Sequence, residues 1–565
     1  MSKSRTPSPF DVLKNLSFEK PAQAVPSTNP PPANPGLPSP PPIFSKQAGP
    51  RSGQSGEVSR ESAHSLKPST PSWKPKAKKP ATPSKGSHSY SYVRPGRLTP
   101  NITQKPKAPP VLKPNGPEHL TGAAAIRYVL EHVNLSTLNN TAPAQTSVSA
   151  ETSAKVDRLV ARGAKILAEC PGPDPMGYRV GLDFGTSTTK VILCSDTANV
   201  DYALDTPKEL QVEEEGRRQQ HLWRTCVWFN DATQCFQLTP SNGSRPILGF
   251  KTGLIQGDGN RMVEAGITHD AATTAFLALL IAYIVGADAE RVELSGGAER
   301  HYSRFHIGVP VPSLDEDKRV EGFHRVVQAA FALVSKATAL RLDDVRATLK
   351  CELASTETQA DTPYQLFEEL AGVVAGYMLT PERAGGPHII VDVGAATLDV
   401  ATFHIPDGEY PLEVYETGVA LLGAQALECA SVAGVPEQTF RAACQAHTSS
   451  VLSKTFRTKN YTFLPGEGGS SKPMIYVGGG RLTSLHQAIF KGYADAYLAP
   501  RRSPEVERWL ERDLKTDAGR LLLAWGLAQD PAVEAIPRIR PPSKVEPILQ
   551  GKRDWEGGYV GAEVC

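Results

Sequence analysis

Tyr178-Arg-Val-Gly-Leu-Asp183-Phe runs straight into the polar turn Gly185-Thr186-Ser187-Thr-Thr-Lys190 and resumes as Val191-Ile-Leu-Cys194. The same design returns 209 positions later, measured from Asp183 to Asp392: Val391-Asp392-Val enters Gly394-Ala395-Ala396-Thr397 and continues from Leu398 to Ile405. Apolar, β-branched stretches interrupted by a short glycine-containing turn read as β-hairpins. Two copies so far apart in one chain point to a duplicated lobe.

The neighbouring segments place these hairpins in an α/β unit. Apolar residues at helical spacing predict helices over Ala271–Val285, Glu321–Lys336 and Phe367–Leu379, while short apolar runs bounded by proline or glycine predict strands over Arg304–Val311 and His388–Val393. Such alternation implies a partly parallel sheet. Upstream, Glu118–Val133 and Thr152–Leu167 carry the helical period on either side of a Ser/Thr/Asn-rich stretch, and are expected to dock on the core.

The acid at the tip of each hairpin has a definite chemical use. Glycine lets the backbone approach a polyphosphate, exposed N–H groups and hydroxyls bind its oxygens, and the acid reaches the water shell of a metal. On this reading Asp183 and Asp392 address Mg²⁺ through water. Gly185, Thr186 and Ser187 cradle the β- and γ-phosphates of ATP, and Gly394, Ala395, Ala396 and Thr397 form the facing loop. A third element, Met474-Ile-Tyr-Val-Gly478-Gly479-Gly480-Arg481, is a strand that opens through three glycines into a helix, where a flat nucleoside can lie against the backbone.

With these three motifs in this order, the chain resembles the actin, sugar kinase and heat shock protein 70 superfamily, and within it a divergent heat shock protein 70-like ATPase domain. The resemblance covers about 350 residues. It implies a duplicated ribonuclease H-like, actin-like ATPase fold of two lobes, assigned to 177–386 and 387–530, with ATP and Mg²⁺ in the cleft. Glu369-Leu-Ala-Gly-Val-Val-Ala-Gly-Tyr377 is similar to the family's connecting helix, which implies a catalytic role for Glu369 in positioning the hydrolytic water and Mg²⁺. Val309-Pro310, the glycine-containing turn Gly418–Gly423 and the closing helix around Leu523–Ala528 also align. Two lysines compete for the phosphate: Lys251, in a segment like the family's catalytic-lysine region, and Lys190, placed as in actins. Lys251 is preferred.

Two departures shape the expected function. Ala395 and Ala396 stand where the family has glycines, which predicts retained binding with slow hydrolysis. After Asp530 only 35 residues remain, five of them proline, too few for the family's peptide-gripping domain. The expectation is therefore a weak ATPase acting as a nucleotide-dependent switch for a protein partner. An ATP-dependent filament former and a non-hydrolysing scaffold stand as alternatives, with a small-molecule kinase behind them for want of a clear catalytic base.

Composition sets the rest. At 565 residues with a formal net charge of +2, the chain exceeds one ordinary core. Residues 1–118 hold 18 Lys and Arg against 5 Asp and Glu and about half of the prolines, so they read as a long disordered, basic arm that leaves an acidic remainder. Residues 119–176 read as helical linker segments and 531–565 as a proline-rich tail. The lobes, arm and tail are the candidate partner surfaces, the arm having the charge for an acidic protein, a membrane surface or nucleic acid. Ser8–Phe18 carries isolated apolar residues suited to a docking helix. The eight cysteines show no metal or redox spacing and read as reduced core residues. No secretory signal is seen, and the longest apolar run, Ala275–Gly286, is too short to span a bilayer, so a cytoplasmic location is expected.

Overall fold

The computed structural model describes residues 117–135 and 148–529, except 171, 175–176, 196–199, 215–216, 298–300, 313, 315–316, 352–361, 381–382, 406–412, 460–471 and 503–517. Expectations for residues 1–116, including the Ser8–Phe18 segment, and for the tail beyond 529 fall outside the described residues.

Two upstream helices come first, α1 (Gly122–His132) and α2 (Ala150–Glu169). The first hairpin follows as β1 (Tyr178–Phe184) and β2 (Thr188–Ser195), then β3 (Val200–Ala203), β4 (Gln211–Glu214) and β5 (Arg217–Arg224). A small sheet of β6 (Cys226–Asn230), β7 (Cys235–Gln237) and β8 (Ser244–Leu248) leads to α3 (Lys251–Gln256), the strand pair β9 (Met262–Glu264) and β10 (Ile267–Thr268), and the long helix α4 (His269–Leu294). Next are β11 (Tyr302–Val309), α5 (Arg319–Leu333), α6 (Leu342–Lys350), β12 (Tyr364–Glu368) and α7 (Glu369–Leu379). The second hairpin is β13 (Gly386–Val393) and β14 (Leu398–Ile405), followed by β15 (Glu413–Ala420), α8 (Ala424–Val432), α9 (Glu437–Lys459), β16 (Lys472–Val477), α10 (Ser484–Tyr497), β17 (Leu498–Arg502) and α11 (Leu522–Ala528).

Both large sheets are built on the same plan. The second runs β15-β14-β13-β16-β17, its first three strands antiparallel and β13, β16 and β17 parallel. In the first, β12, β11 and β1 are parallel, β2 is antiparallel to β1, and the outer edge of β2 is shared by β3 and β5. The chain is thus mixed α/β, with each hairpin at the centre of its sheet.

Pattern explains why β1 is central. Every residue of it is buried: Tyr178, Val180, Leu182 and Phe184 join the main apolar core, whereas the intervening Arg179 donates to the Ala528 carbonyl at 3.1 Å and Gly181 lies against the backbone of α11. A strand buried on both faces is what a central position demands. Phe276 of α4 stacks on Phe184 at 5.8 Å, closing the core on the other side.

Several boundaries differ from expectation for stated reasons. Phe367 belongs to β12, which pairs in parallel with β11 before the helix starts at Glu369. Gly418 lies in β15 rather than in a turn, and Gly423 precedes α8 as its N-cap. The apolar run thought too short to cross a membrane is part of a 26-residue helix that is long and apolar enough, but 94% of its apolar window is buried inside the protein. Cys194, Cys226, Cys429 and Cys444 are core residues as expected, while Cys170 and Cys351 are exposed. The segments read as linkers dock by their helices: α1 packs on α9, and α2 on α4.

The two sheets are joined by a helix pair. A second apolar core draws Ile192 and Cys194 from the first sheet, Ile390, Ala401, Phe403 and Ile475 from the second, and most of α7 and α11. Within it the two helices touch backbone to backbone, since a Cβ at Gly526 would overlap the Gly372 carbonyl. Gly526→Ala is therefore expected to lower unfolding stability by about 1–3 kcal/mol through overpacking, read from the urea midpoint. The control Gly172→Ala, where a Cβ meets nothing within 4 Å, should stay within about 0.5 kcal/mol.

Candidate functional site

Because β1 and β13 are central and their hairpin turns face one another, the loops that follow them wall a single cavity of about 270 Å³. Its lining includes Asp183, Gly185, Thr186, Ser187, Lys190, Lys251, Glu369, Asp392, Gly394, Ala395, Ala396, Thr397 and Gly478 to Gly480. Of the residues assigned to the ATP site from the sequence, Arg481 alone is missing from that wall. The 3₁₀ turn Gly479–Leu482 comes between β16 and α10, and it folds the Arg481 guanidinium back to donate to the Gly478 carbonyl at 3.3 Å.

Register sets the first charge pair. Asp183 and Lys190 are directly opposed across the β1–β2 hairpin, and Lys190 Nζ donates to Asp183 Oδ2 at 2.8 Å with both side chains nearly buried. The second pair comes from distant elements. Lys251 opens α3 just after Gly249, and its Nζ donates to Glu369 Oε1 at 2.7 Å and to the Phe184 carbonyl. Lys251 is 2% exposed. Glu369, at the start of α7, faces the cavity and not solvent. The two lysines thus do not exclude each other: both line the same space, each on its own carboxylate.

The second loop tolerates its alanines. Among the described residues outside glycine, positive φ occurs only at Gln234, and Gly394 is not among the positive-φ glycines either. The turn therefore needs no left-handed residue, and its alanines are unstrained. Ala396 is packed into the main core. The carbonyls of Gly394, Ala395 and Ala396 accept from the N–H groups of Ala424, Gln425 and Gly423 at the start of α8. Among the described residues the N–H groups of Thr186, Ser187, Ala395 and Ala396 meet no backbone acceptor, and all four residues line the cavity.

The three glycines of the third loop have a packing reason that the sequence reading did not see. Gly478 has φ +84, and a Cβ there would overlap Asp392 Oδ1. A Cβ on Gly480 would come 2.5 Å from the Gly394 carbonyl, and one on Gly479 would come 2.7 Å from Arg520 Nη2. The third loop lies flat on the second.

Two residues of this neighbourhood escaped the sequence reading. Asp399 sits opposite Asp392 in the β13–β14 ladder, buried, with an Oδ1 that has no hydrogen-bond partner among the described residues. Its signal was the second acid, seven positions after Asp392, in the same hairpin. Arg520, on the turn Ala518–Arg520 before α11, gave no local signal, because its neighbours are distant in sequence.

Burial governs the acidities of the carboxyls here, and neighbouring negative charge adds to it. Burial, then the charges of Glu369 and Asp183, push the Asp392 carboxyl up to about 7, against the pull of Lys190 and Arg481. Burial raises Glu369 despite Lys251, and burial with the nearby Glu369 and Asp392 charges raises Asp399 well above the usual range. Among the described residues no group of three or more His, Cys, Asp or Glu side chains is set to ligate a metal directly. No protein-family model matches the chain, and no curated protein matches it.

A raised carboxyl has a sign. Between the ordinary carboxyl range and pH 7 the folded protein holds a proton on Asp392 that the unfolded chain has lost, so stability falls as pH rises through that window and levels off above it. In chelator and without nucleotide, the urea midpoint is expected to drop from pH 5 to pH 8. Asp392→Asn should flatten the drop, gaining on the order of 2–4 kcal/mol at pH 8.

Proposed function

We propose that the cavity binds Mg·ATP and that the protein is a slow ATPase working as a nucleotide-dependent switch for a partner protein. On this reading the two sheets are the lobes of a duplicated ribonuclease H-like, actin-like ATPase fold, of the heat shock protein 70-like kind. The observation that carries the proposal is the convergence of Asp183 and Asp392, each at the tip of the central hairpin of its own sheet, on one cavity that also holds two lysines.

The residues present suit the ligand. The open N–H groups of Thr186, Ser187, Ala395 and Ala396, with Lys190 and Lys251, offer phosphate oxygens a wall of donors and positive charge. The Asp392 carboxyl, raised first by burial and then by the charges of Glu369 and Asp183, marks the side where a divalent cation would fit. Asp183 and Asp392, both on the cavity wall, would hold the waters of that cation. Bound there, Mg²⁺ would supply charge neutralisation of the β- and γ-phosphates.

The chain's own groups take defined parts. Lys251, buried and fixed between Glu369 and the Phe184 carbonyl, would present its amino group at the phosphate end. Glu369, with its proton affinity raised by burial, is placed to accept a proton from an attacking water. The Gly478–Gly480 turn backs the nucleoside end, although its glycines are already required by Asp392 and Arg520. The methyl of Ala395 narrows the second loop relative to glycine, which supports slow turnover rather than loss of binding. Because the lobes meet through α7 and α11, a ligand that grips both hairpins favours one relative arrangement of the sheets, and that arrangement is what a partner reads.

At a Mg·ATP concentration 100 times the dissociation constant, binding is expected to stabilise the fold by about 2.7 kcal/mol. This would appear as a rise in melting temperature that Asp183→Ala abolishes. Single-turnover hydrolysis should exceed that of Asp183→Ala and fall at least tenfold in Glu369→Gln. No thermal shift in the native protein would defeat the proposal.

A further inference from the structure

Arg520 is a long cation whose guanidinium touches both sheets, by one hydrogen bond to the first and by its flat face against the second. Its Nη2 donates to Thr188 Oγ1 at 3.2 Å, at the start of β2 in the first sheet. A Cβ built on Gly479, in the turn after β16 of the second sheet, would lie 2.7, 2.9 and 3.1 Å from Nη2, Cζ and Nε. Those near-equal distances put the flat face of the guanidinium over the Gly479 backbone. The residue is 7% exposed, and it lines the cavity.

The base of this side chain is anchored. Arg520 is followed at once by α11, which packs on α7, β1 and β2, so its Cα cannot easily follow either loop. Thr188 belongs to the first hairpin and Gly479 to the loop that overlies Asp392 and Gly394. Both contacts can exist together only while the two sheets keep this spacing. A flat five-donor fork suits such a bridge, since one edge can donate while the face packs. Glycine at 479 is the condition for it, as any side chain would displace the guanidinium.

We propose that Arg520 is a positioning residue that clasps the third loop to the first hairpin and thereby sets how often the cleft is closed. The contact itself stands on geometry alone. Its effect on ligand affinity rests on the Mg·ATP reading above: a ligand that needs the closed cleft binds more weakly by the fraction of molecules left open when the clasp is lost.

The full chain would be prepared as native protein, Arg520→Ala, Gly479→Ala, the double variant and Arg520→Lys. Hydrogen exchange without ligand should speed up about tenfold over 184–190 and over 478–482 in each single variant, while α7 and α11 amides keep their protection. The Mg·ATP dissociation constant, from thermal-shift titration, should rise about tenfold in each single variant. The double variant should be no worse than the weaker single, because both changes break one contact. Arg520→Lys should recover less than half of the loss, lacking the fork. Unchanged exchange in both loops, or effects of Arg520→Ala and Gly479→Ala that multiply, would overturn the clasp. If Arg520→Ala fails to fold, Gly479→Ala decides by the same readouts. If the native protein shows no Mg·ATP shift, the nucleotide reading falls and the exchange data alone judge the clasp.

Discussion

The backbone contact between α7 and α11 is the constraint on which the rest of the structure depends. Gly526 against the Gly372 carbonyl, and Gly376 against that of Leu522, bring two short helices closer than any side chain would permit. That closeness lets one thin layer of Leu522, Leu523, Leu527, Val373 and Val374 serve as the core for both sheets. A thicker layer would hold β1 and β13 further apart, and the hairpin turns that follow them would open onto separate surfaces rather than one cavity.

Bringing two acid-tipped hairpins together has an electrostatic cost that the fold meets only in part. Lys190 offsets Asp183, and Lys251 offsets Glu369. Asp392 and Asp399 then remain as adjacent carboxyls in the ladder of β13 and β14, where burial first and neighbouring negative charge second raise their proton affinities. A buried pair of this kind is costly unless protonated or neutralised.

The hairpins were legible because two signals coincide in them: alternating apolar residues and a glycine-containing polar turn. Their ends were placed within a few residues, and all the residues singled out in the turns and at Lys251 and Glu369 meet at one cavity. What escaped was long-range. The strands from Val200 to Thr268 are short and partly exposed, with too little periodicity to stand out. The long helix α9 buries Phe440, Ala443, Cys444 and Val451, but Thr439, Thr448 and Thr455 share that face, so the stripe is too weakly apolar to stand out in the sequence. Arg520 is defined by Thr188 and Gly479, hundreds and tens of positions away, and no window of sequence contains all three. The glycines of the third loop were noticed, but their close neighbours, Asp392 Oδ1, the Gly394 carbonyl and the Arg520 guanidinium, are visible only in three dimensions.

The upstream helices extend the same logic beyond the cleft. Helix α2 is locked on α4 by a second close crossing, where a Cβ on Gly163 would overlap the Ala282 carbonyl, and Phe276 of α4 stacks on β1 of the first sheet. Helix α1 packs instead on α9, which covers β14 and β15 of the second sheet. The two helices therefore ride on different sheets although they belong to one stretch of chain, and the 12 residues at 136–147 limit their separation to about 45 Å. Any rotation of one sheet against the other about the α7–α11 pair must alter the distance between α1 and α2.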